Sequence, residues 1–359
     1  MRKPKILWIS VPPHKKTGYS KVSEKITSYL SQYSELTGGA LYYTGRPFRA
    51  KGVKWYPITN EEILFYVLER IKPDLVFSLF DPWAFPAFFE IQERGFKYIP
   101  YLTLDSEPLI SFYMQQLYKT ERIIVFSKFA QSLLKENGFD SVYIPHGVDF
   151  EKFSQVKRKG DNIGFVGLNR YGRKNIPLHL EVFKEVSKEI DKYFLLLTDP
   201  HPINGIAFDL IEIARNLKID DKVVFPDRNT YCYPLSEREL LEFYSQLKIN
   251  LLLSCAEGFG IPIIEAEAIG IPTLVTNYSA MPELVPEFCR VSVKDFFYTL
   301  NTRFPVKWAL ADKKEAKEKI LRLYKDGKLY QEVSKEAKEI AKNYDWNLIL
   351  PKWKKIIYE

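Results

Sequence analysis

The chain has 359 residues, 46% of them hydrophobic, and its 52 Lys and Arg against 45 Asp and Glu give a formal net charge of +7. This length exceeds the usual limit for one hydrophobic core, so we expect two domains of about 160 to 190 residues each. The lysines are scattered among glutamates without a nucleic-acid motif, and no apolar run approaches the roughly 18 residues of a membrane span. Composition therefore argues against a nucleic-acid partner and against a transmembrane protein.

Neither the N-terminal residues nor the cysteines indicate export. The first residues, MRKPKILWISVPPHKK, contain a brief apolar run that is expected to be a strand, and no small-residue cleavage site follows it. The three cysteines, Cys232, Cys255 and Cys289, have neither metal-ligand spacing nor an even number for pairing. We therefore expect a cytoplasmic protein. The basic charge leaves open a peripheral contact with a membrane, or attraction to an anionic substrate.

Short apolar strands alternate with amphipathic helices in the first half of the chain. KILWISV (residues 5–11) predicts the first strand and SKVSEKITSYLSQY (residues 20–33) the first helix. Four more apolar runs predict later strands: DLVFSLF, YIPYLTL, RIIVFS and SVYIPH. This alternation is typical of parallel sheets built from strand–helix–strand units. The ligand crevice of such a sheet lies at the carboxyl ends of its strands, where this sequence has Asp81, Asp105, Glu107, Ser127, Lys128 and His146.

The second half repeats this alternation. The charged stretch FEKFSQVKRKGDN (residues 150–162) is expected to link the domains, and five apolar runs after it predict a second sheet: NIGFVG, YFLLLT, KVVFP, INLLLS and TLVT. Residues 312–344 have the charged, amphipathic pattern of surface helices, and DWNLILPKWKKIIYE closes the chain. We therefore expect domains at residues 1–155 and 156–343, followed by a final helical segment at residues 344–359.

The most informative segment is EGFGIPIIE (residues 257–265), which places two carboxylates around the start of a helix. The preceding INLLLS is typical of a buried parallel strand, and Gly258 and Gly260 permit a tight turn after it. Pro262 is favoured at the first helical position, and Gly270 is expected to end the helix. The segment therefore predicts a strand, a glycine turn, a helix and a second strand.

This arrangement suits a sugar nucleotide. The N-terminus of the helix, at residues 260–263, forms an anion site for a diphosphate. Glu257 would lie beside the phosphates, and Glu265, about one turn into the helix, could accept hydrogen bonds from a ribose. Glu267 is rotated from Glu265 by roughly 200° and should point elsewhere. The alternative is an ordinary crossover connection whose acidic residues complement the helix dipole.

Four segments of this sequence resemble the retaining glycosyltransferases of family 4. EGFGIPIIE is similar to the family's EGFGxPxxE element, and IGFVGLNRYGRKN (residues 163–175) to its strand and basic loop. TGYSKV (residues 17–22) resembles the glycine loop that faces the donor, and IPHGVDFEKF (residues 144–153) the segment that closes the first domain. The resemblance implies an α/β protein of the GT-B fold. This fold has two facing Rossmann-like domains with parallel sheets, a cleft between them, and a C-terminal helix that crosses back to the first domain.

The resemblance also implies roles for individual residues. Arg173 and Lys174 match the pair that holds the donor diphosphate, Glu257 the ligand of the donor sugar, and Glu265 the ligand of the ribose. The expected donor-site residues are Gly18, Arg173, Lys174, Arg228, Gly258, Phe259, Gly260, Ile261 and Glu265. Arg228, with Asp227 and Asn229, is near the family's base pocket, but this pattern does not separate uracil from guanine.

The implied reaction transfers a hexose from a UDP- or GDP-linked sugar, a co-substrate, to an acceptor hydroxyl with retention at the anomeric carbon. No resident cofactor and no metal ion are expected, because the sequence lacks Asp-x-Asp and basic residues already occupy the place of a divalent ion. The acceptor, which could be a lipid, a glycan or a protein, is not read from the sequence.

The acceptor side departs from the family pattern, in which a histidine often occupies the region of Asp105 and Glu107. Either of these acids could bind or deprotonate the acceptor hydroxyl, and Asp105 is our candidate catalytic residue. His146 could act on a sugar hydroxyl or could fill the turn before Gly147. His14 is expected to serve local turn structure. An aromatic cluster could line an acceptor groove or belong to the core: Trp83, Phe85, Phe88 and Phe89.

Other interpretations remain open from the sequence. A noncatalytic sugar-nucleotide or glycan-binding relative would keep the donor site without turnover. A nucleotide-sugar epimerase or a phosphorylase could use the same fold. At the C-terminus, the last helix is expected to pack on the first domain, while the alternative is a membrane-facing patch of Trp353, Lys354, Lys355 and Tyr358.

Overall fold

The structure is a computed structural model that describes residues 2–15, 17–81, 85–170, 172–201, 207–226, 236–299 and 305–359, without the side chains of Phe112 and Tyr113. The chain divides into two compact units. The first unit combines Met1–Gly147 with Trp346–Glu359, and the second is Val148–Asp345.

The first unit is built on an eight-stranded sheet. Its strands are β1 (Lys5–Ser10), β2 (Glu35–Leu41), β3 (Phe48–Ala50), β4 (Val53–Ile58), β5 (Leu75–Phe80), β6 (Tyr98–Leu102), β7 (Ile124–Val125) and β8 (Val142–Tyr143). They are ordered β3-β4-β2-β1-β5-β6-β7-β8, and each neighbouring pair is parallel except β3 with β4. The central strand β1 is buried from Ile6 to Ser10, as expected for a parallel sheet covered on both faces.

The described part of residues 1–147 contains the helices α1 (Gly18–Leu30), α2 (Glu61–Ile71), α3 (Glu90–Glu93), α4 (Ser111–Leu117) and α5 (Lys128–Glu136). Helix α1 begins two residues before its predicted start, because the Thr17 side chain caps it by accepting a hydrogen bond from the Ser20 N–H. Its residues Val22, Ile26 and Leu30, spaced by four, are buried against the sheet.

The second unit contains a six-stranded sheet of β9 (Asn162–Val166), β10 (Phe194–Leu197), β11 (Val223–Val224), β12 (Leu247–Leu252), β13 (Thr273–Thr276) and β14 (Arg290–Val291). The order is β11-β10-β9-β12-β13-β14, and the pairs are parallel. The five predicted apolar runs form β9 to β13, whereas β14 was not predicted. A separate antiparallel hairpin, β15 (Val293–Tyr298) with β16 (Lys307–Ala311), was not predicted.

Seven helices belong to the second unit as described: α6 (Phe150–Ser154), α7 (Ile176–Val186), α8 (Leu210–Leu217), α9 (Glu237–Ser245), α10 (Ile261–Ile269), α11 (Lys313–Lys325) and α12 (Gly327–Lys342). Helix α6 corrects the predicted linker. The Phe153 ring lies 6.2 Å from that of Tyr244, and Lys152 pairs with Glu237 at 2.7 Å. These contacts tie residues 150–154 to the second unit, so the chain divides at residue 147 instead of the predicted 155.

The final helix, α13 (Trp346–Ile356), belongs to the first unit, as predicted. The buried Trp353 ring lies 4.8 Å from Tyr101, 5.3 Å from Trp8 and 5.9 Å from Phe77. The alternative of a membrane-facing patch is therefore wrong for Trp353. Within the described ranges, no helix combines the length and the apolar character needed to cross a membrane.

Candidate active site

The turn between β12 and α10 is shaped by glycine. Gly260 has a φ of +109°, and a Cβ atom there would lie 2.6 Å from Cδ1 of Ile263. Only glycine adopts this backbone without strain. Helix α10 then begins at Ile261, one residue before the predicted Pro262, and its last residue is Ile269. Gly270 caps this end of the helix and also has a positive φ, of +84°. The predicted strand, turn, helix and strand are confirmed.

The N-terminus of α10 offers fewer donors than the sequence suggested. Pro262 has no N–H, and the Ile263 N–H donates to the Gly260 carbonyl at 2.8 Å. The N–H groups of Gly260 and Ile261 precede the first hydrogen-bonded turn, so they and the helix dipole can face an anion. The neighbouring Phe259 is buried, with its ring 5.8 Å from that of Tyr344, and Gly258 is buried as well.

Glu257 lies directly between the two basic residues that the sequence singled out. Arg173 Nη1 donates to Glu257 Oε2 at 2.8 Å, and Lys174 Nζ donates to Glu257 Oε1 at 2.6 Å. The side chains of Glu257 and Lys174 are 6% and 14% exposed, whereas that of Arg173 is 32% exposed. The structure thus brings residues from two loops, distant in sequence, into one ionic cluster at the carboxyl ends of β9 and β12.

The ion pairs of this cluster and its burial shift the pKa values of Glu257 and Lys174. Burial opposes ionisation of the Glu257 carboxyl, but the charges of Arg173 and Lys174 outweigh it and lower the pKa of Glu257 to about 2. Burial lowers the pKa of Lys174, assisted by Arg173, while Glu257 acts against this shift. Glu257 is therefore a carboxylate at neutral pH. It can accept hydrogen bonds and stabilise positive charge, but it cannot act as a general acid there.

The buried His179, which the sequence did not indicate, connects the two segments that carry this cluster. His179 Nε2 accepts the Leu253 N–H at 2.8 Å, and Nδ1 lies 2.9 Å from the Asn175 carbonyl. Because Nε2 accepts, Nδ1 carries the proton of the neutral ring and donates to that carbonyl. Burial lowers the pKa of His179 to about 4, so the ring stays neutral. His179 thereby joins the start of α7 to the end of β12.

The basic loop itself is held by hydrogen bonds to backbone groups that are distant in sequence. The Cys255 N–H donates to the Arg173 carbonyl at 2.8 Å. In the Asn169 side chain, Nδ2 donates to the carbonyls of Asp199, at 3.1 Å, and Phe208, at 2.7 Å. Its Oδ1 accepts a hydrogen bond from the Phe208 N–H at 3.2 Å. These bonds fix the path of the loop on either side of residue 171. Nothing in the local sequence signals either contact, because the partners are distant along the chain.

Glu265 and Glu267 point to different surroundings, as predicted. Glu265 is buried, and its Oε2 accepts a hydrogen bond from the hydroxyl of the buried Tyr244 at 3.0 Å. The Tyr244 hydroxyl also lies 3.3 Å from the Pro262 carbonyl. Glu267 is fully buried and accepts the Thr273 N–H at 2.8 Å. Tyr244 is a second residue that sequence reasoning missed.

In the first unit, Gly18 is the first residue of α1, and the next residue joins a polar cluster at the carboxyl ends of the strands. The Tyr19 hydroxyl donates to Asp81 at 2.7 Å and lies 3.0 Å from the Thr103 hydroxyl. Asp105, half-buried, accepts from the Ser106 hydroxyl at 3.0 Å. Tyr19 lies within the segment TGYSKV but was not among the predicted site residues.

His146 is buried in the first unit. Its ring stacks 4.2 Å from that of Phe126, and Nδ1 lies 2.8 Å from the Tyr101 hydroxyl, which itself donates to the Ile144 carbonyl. Burial lowers the pKa of His146 to about 3. This environment favours the packing interpretation of His146. His14 makes edge contacts with the rings of Tyr43 and Phe48, which agrees with a local role.

Among the remaining predicted residues, Phe85, Phe88 and Phe89 are buried and belong to the core instead of an acceptor groove. Cys255 and Cys289 are buried free thiols. Several predicted residues lie outside the described residues: Trp83, Asp227, Arg228, Asn229 and Cys232. Within the described part of the chain, no group of three or more His, Cys, Asp or Glu side chains is arranged to hold a metal ion.

Comparison with known sequences finds one protein family. Its description is "Glycosyl transferases group 1", and its model matches residues 148–340. A relative from Sulfolobus islandicus rod-shaped virus 1, named "Uncharacterized glycosyltransferase 335", is 26% identical over 222 residues, which cover 57% of this chain and 62% of the relative. A second relative, from a Sulfolobus islandicus filamentous virus, is 29% identical over 168 residues, or 44% of this chain. The chain spans 62% and 50% of the lengths of these two relatives.

Solved structures with the same fold cover nearly the whole chain. Sucrose-phosphate synthase from Thermosynechococcus elongatus superposes with a TM-score of 0.76 and 14% identity, covering 99% of this chain and 98% of that one. HepE of Anabaena, in complex with UDP and glucose, gives a TM-score of 0.74 at 14% identity, covering 99% and 100%. At this identity the likeness shows the fold alone, and it confirms the predicted two-domain α/β architecture with parallel sheets.

Proposed function

The chain belongs to the group 1 glycosyl transferases, and we propose that it transfers a hexose from a nucleotide diphosphate sugar to an acceptor hydroxyl. The proposal includes retention at the anomeric carbon and independence of metal ions, as in the family 4 enzymes that the sequence resembles. The observation that carries it is the contact of Glu257 with Arg173 and Lys174 beside the N-terminus of α10. This geometry supplies two cations and helix N–H groups for a diphosphate, next to a carboxylate for a sugar.

The ionic cluster suits a donor that carries negative charge next to hydroxyl groups. A carboxylate has about four acceptor positions. Arg173 and Lys174 occupy one on each oxygen of Glu257, so sugar hydroxyls can use the others. The two cations have further N–H groups for the diphosphate, while Glu265 would accept hydrogen bonds from the ribose. The relative HepE, solved with UDP and glucose, makes UDP the first nucleotide to test.

The chemical step breaks the bond between the anomeric carbon and the diphosphate oxygen and forms a bond from the acceptor oxygen on the same face. Negative charge then develops on the leaving diphosphate, where Arg173, Lys174 and the N-terminus of α10 would stabilise it. The acceptor proton passes to the leaving phosphate oxygen or to Asp105, the proposed acceptor-side residue. Because cations of the protein neutralise the leaving group, the step requires no divalent ion.

Nucleotide binding is the direct test of the donor site. Isothermal titration of UDP and GDP should show saturable binding of one of them to the native chain. Lys174→Gln should weaken that binding by about tenfold, because it removes one charge-assisted contact. The matched control is Lys188→Gln, which removes an exposed lysine that pairs with Glu185. Binding of neither nucleotide, or equal affinities in both variants, would contradict the proposed donor site.

A further inference from the structure

A second cluster of positive charge lies in the second unit, away from the Glu257 cluster. An open pocket of about 450 Å³ is lined by Arg158, Lys248, Tyr330, Ser334, Lys335 and Lys338, together with Gly327 and Gln331. We call this cavity the basic pocket. One wall is a face of α12, where Tyr330, Ser334 and Lys338 recur every four residues. Arg158 and Lys248 form the opposite side.

The lining of the basic pocket contains cations but no carboxylate. No Asp or Glu lines it, and within the described ranges none of its four cations forms an ion pair. Other lysines of this unit are paired: Lys152 with Glu237, Lys159 with Glu242 and Lys313 with Glu181, at 2.7 to 3.0 Å. A neighbouring depression of about 390 Å³ contains Lys157, Lys159 and Arg238 but also Glu237 and Glu242. Several cations of this unit are thus paired with carboxylates, whereas those that line the basic pocket are not.

Two of the cations are held together against one ring. Arg158 Cζ lies 5.0 Å and Lys248 Nζ 4.9 Å from the centre of the Tyr330 ring, and Arg158 also donates to the Tyr330 hydroxyl. That hydroxyl in turn donates to the Lys248 carbonyl at 3.0 Å. Burial lowers the pKa of Lys248, Asp161 acts against this shift, and Arg158 and Lys192 act with burial. Two like charges fixed near each other favour an anion that bridges them.

The basic pocket and the Glu257 cluster lie at opposite ends of β12. Lys248 is the second residue of this strand, whereas Glu257 follows its carboxyl end. A strand of this length separates its ends by roughly 17 Å at about 3.3 Å per residue. A single diphosphate cannot contact both clusters.

We propose that the basic pocket binds a diphosphate or polyphosphate group at a site separate from the candidate active site. Four cations call for more than one negative charge, and lysine ammonium groups are flexible point charges that adapt to phosphate oxygens. The volume of about 450 Å³ is within the range of small-molecule sites and leaves room beyond a single phosphate. The group can belong to a soluble ligand or to the head group of a lipid, since both present the same chemistry.

The test compares two double variants with the same charge change on the same helix. Lys335→Gln with Lys338→Gln alters the basic pocket, and Lys328→Gln with Lys342→Gln alters α12 outside it. All chains carry Lys174→Gln, so that the candidate active site contributes less to the binding of the same anion. Inorganic tripolyphosphate is titrated by calorimetry, and sedimentation is measured with phosphatidylcholine vesicles with and without phosphatidylinositol bisphosphate.

We expect tripolyphosphate to bind equally to the chain with Lys174→Gln alone and to the chain that also carries Lys328→Gln and Lys342→Gln. The chain with Lys335→Gln and Lys338→Gln should bind it at least about tenfold more weakly. Pocket-dependent sedimentation with the bisphosphate lipid would identify a head group as the source, whereas binding of tripolyphosphate alone would identify a soluble ligand. Absence of binding, or equal weakening in the two double variants, would overturn the proposal. The four lysines substituted on α12 are at the surface, and thermal unfolding of each variant verifies that the fold is intact.

Discussion

The hydroxyl of Tyr244 determines where the Glu265 carboxylate points. Both side chains are buried, and the bond between them is 3.0 Å long. A buried carboxylate in the proposed ribose contact needs such a donor to hold its rotamer. Tyr244 is therefore a positioning residue for the proposed donor site.

Tyr244→Phe should raise the KM or Kd for the donor nucleotide by about threefold to tenfold while kcat changes by less than about twofold. The substitution removes the hydrogen bond that orients Glu265, the proposed ligand of the ribose. Because the ribose would be bound equally in the ground state and in the transition state, the loss affects binding and not kcat. Steady-state kinetics and nucleotide titration give the two quantities. Tyr193→Phe, at an exposed tyrosine of the same unit, is the matched control. An unchanged affinity in Tyr244→Phe would show that Glu265 is held by other contacts.

Glu267 makes the stability of the second unit depend on pH. Burial raises the pKa of this carboxyl well above its ordinary value of 4.5, and Glu336 acts in the same direction. The carboxyl of Glu267 therefore keeps its proton to a higher pH in the folded chain than in the unfolded chain. A raised folded pKa contributes stability that is complete below about pH 4.5 and is lost as pH rises towards the folded pKa.

Glu267→Gln should remove this dependence, because the amide keeps an acceptor for the Thr273 N–H and does not ionise. As pH rises above about 4.5, the folding equilibrium constant of the variant should gain on that of the native chain, by at most about tenfold per pH unit. Urea unfolding followed by circular dichroism at several pH values gives this difference. Glu339→Gln, at an exposed position of α12, should show no such trend. Parallel pH profiles of native chain and Glu267→Gln would mean that Glu267 is charged in the fold.

The sequence indicated the candidate site residues but not the contacts among them. The spacing and glycines of EGFGIPIIE indicated Glu257 and Glu265, and the basic loop indicated Arg173 and Lys174. The ion pairs among them, the bond from Tyr244 and the brace by His179 join segments many residues apart. Such partners depend on tertiary packing, which local patterns do not contain.

Two glycines stand at the start of helices, Gly260 before α10 and Gly327 in α12, but they differ in backbone conformation and in the space around Cα. Gly260 has a φ of +109° and no room for a Cβ atom, whereas Gly327, at the start of α12, has no heavy atom within 4 Å of one. Glycine is required at the first position and is only tolerated at the second.

Gly260→Ala should lower the free energy of unfolding by about 2 kcal/mol or more, from left-handed strain and the clash with Ile263. Gly327→Ala should leave it unchanged or raise it by up to about 1 kcal/mol, since alanine favours the helix. Urea unfolding of both variants measures the difference. Equal losses would contradict the assigned backbone of the turn before α10.

The sequence predicted β1 and β5 to β13, because parallel strands buried on both faces leave continuous hydrophobic runs. It missed β2, β3, β4 and β14. It also missed the hairpin β15–β16, whose exposed Phe296, Phe297 and Tyr298 resemble neither a buried run nor a clean alternation. It interpreted α6 as part of the linker, because a helix of five residues is too short to show a helical hydrophobic pattern.

At the scale of the whole molecule, the chain forms two compact units and returns to the first at its end. Helix α13 completes the first unit by adding Trp353 to a core of Trp8, Phe77 and Tyr101. A segment far from residues 1–147 in sequence is thus part of the same hydrophobic core, and the first unit depends on it for stability.

Trp353→Ala should lower the free energy of unfolding of the first unit by about 3 to 5 kcal/mol, because it leaves a large cavity among aromatic rings. Leu348→Ala, on the exposed side of the same helix, should change it by no more than about 0.5 kcal/mol. Urea unfolding followed by tryptophan fluorescence, in a background that carries Trp308→Phe in the second unit, reports on the tryptophans of the first unit. Similar losses in the two variants would contradict the assignment of α13 to the core.

We propose that this chain turns over a nucleotide sugar through the cluster of Glu257, Arg173 and Lys174. Turnover is measured as the release of nucleoside diphosphate from UDP- and GDP-linked hexoses in the presence of EDTA, with the native chain and Lys174→Gln. The native chain should release the diphosphate from one of the donors, and the variant about a hundredfold more slowly because a cation at the leaving group is lost. Binding without release by the native chain, or equal release by both chains, would show that the cluster does not act in this way.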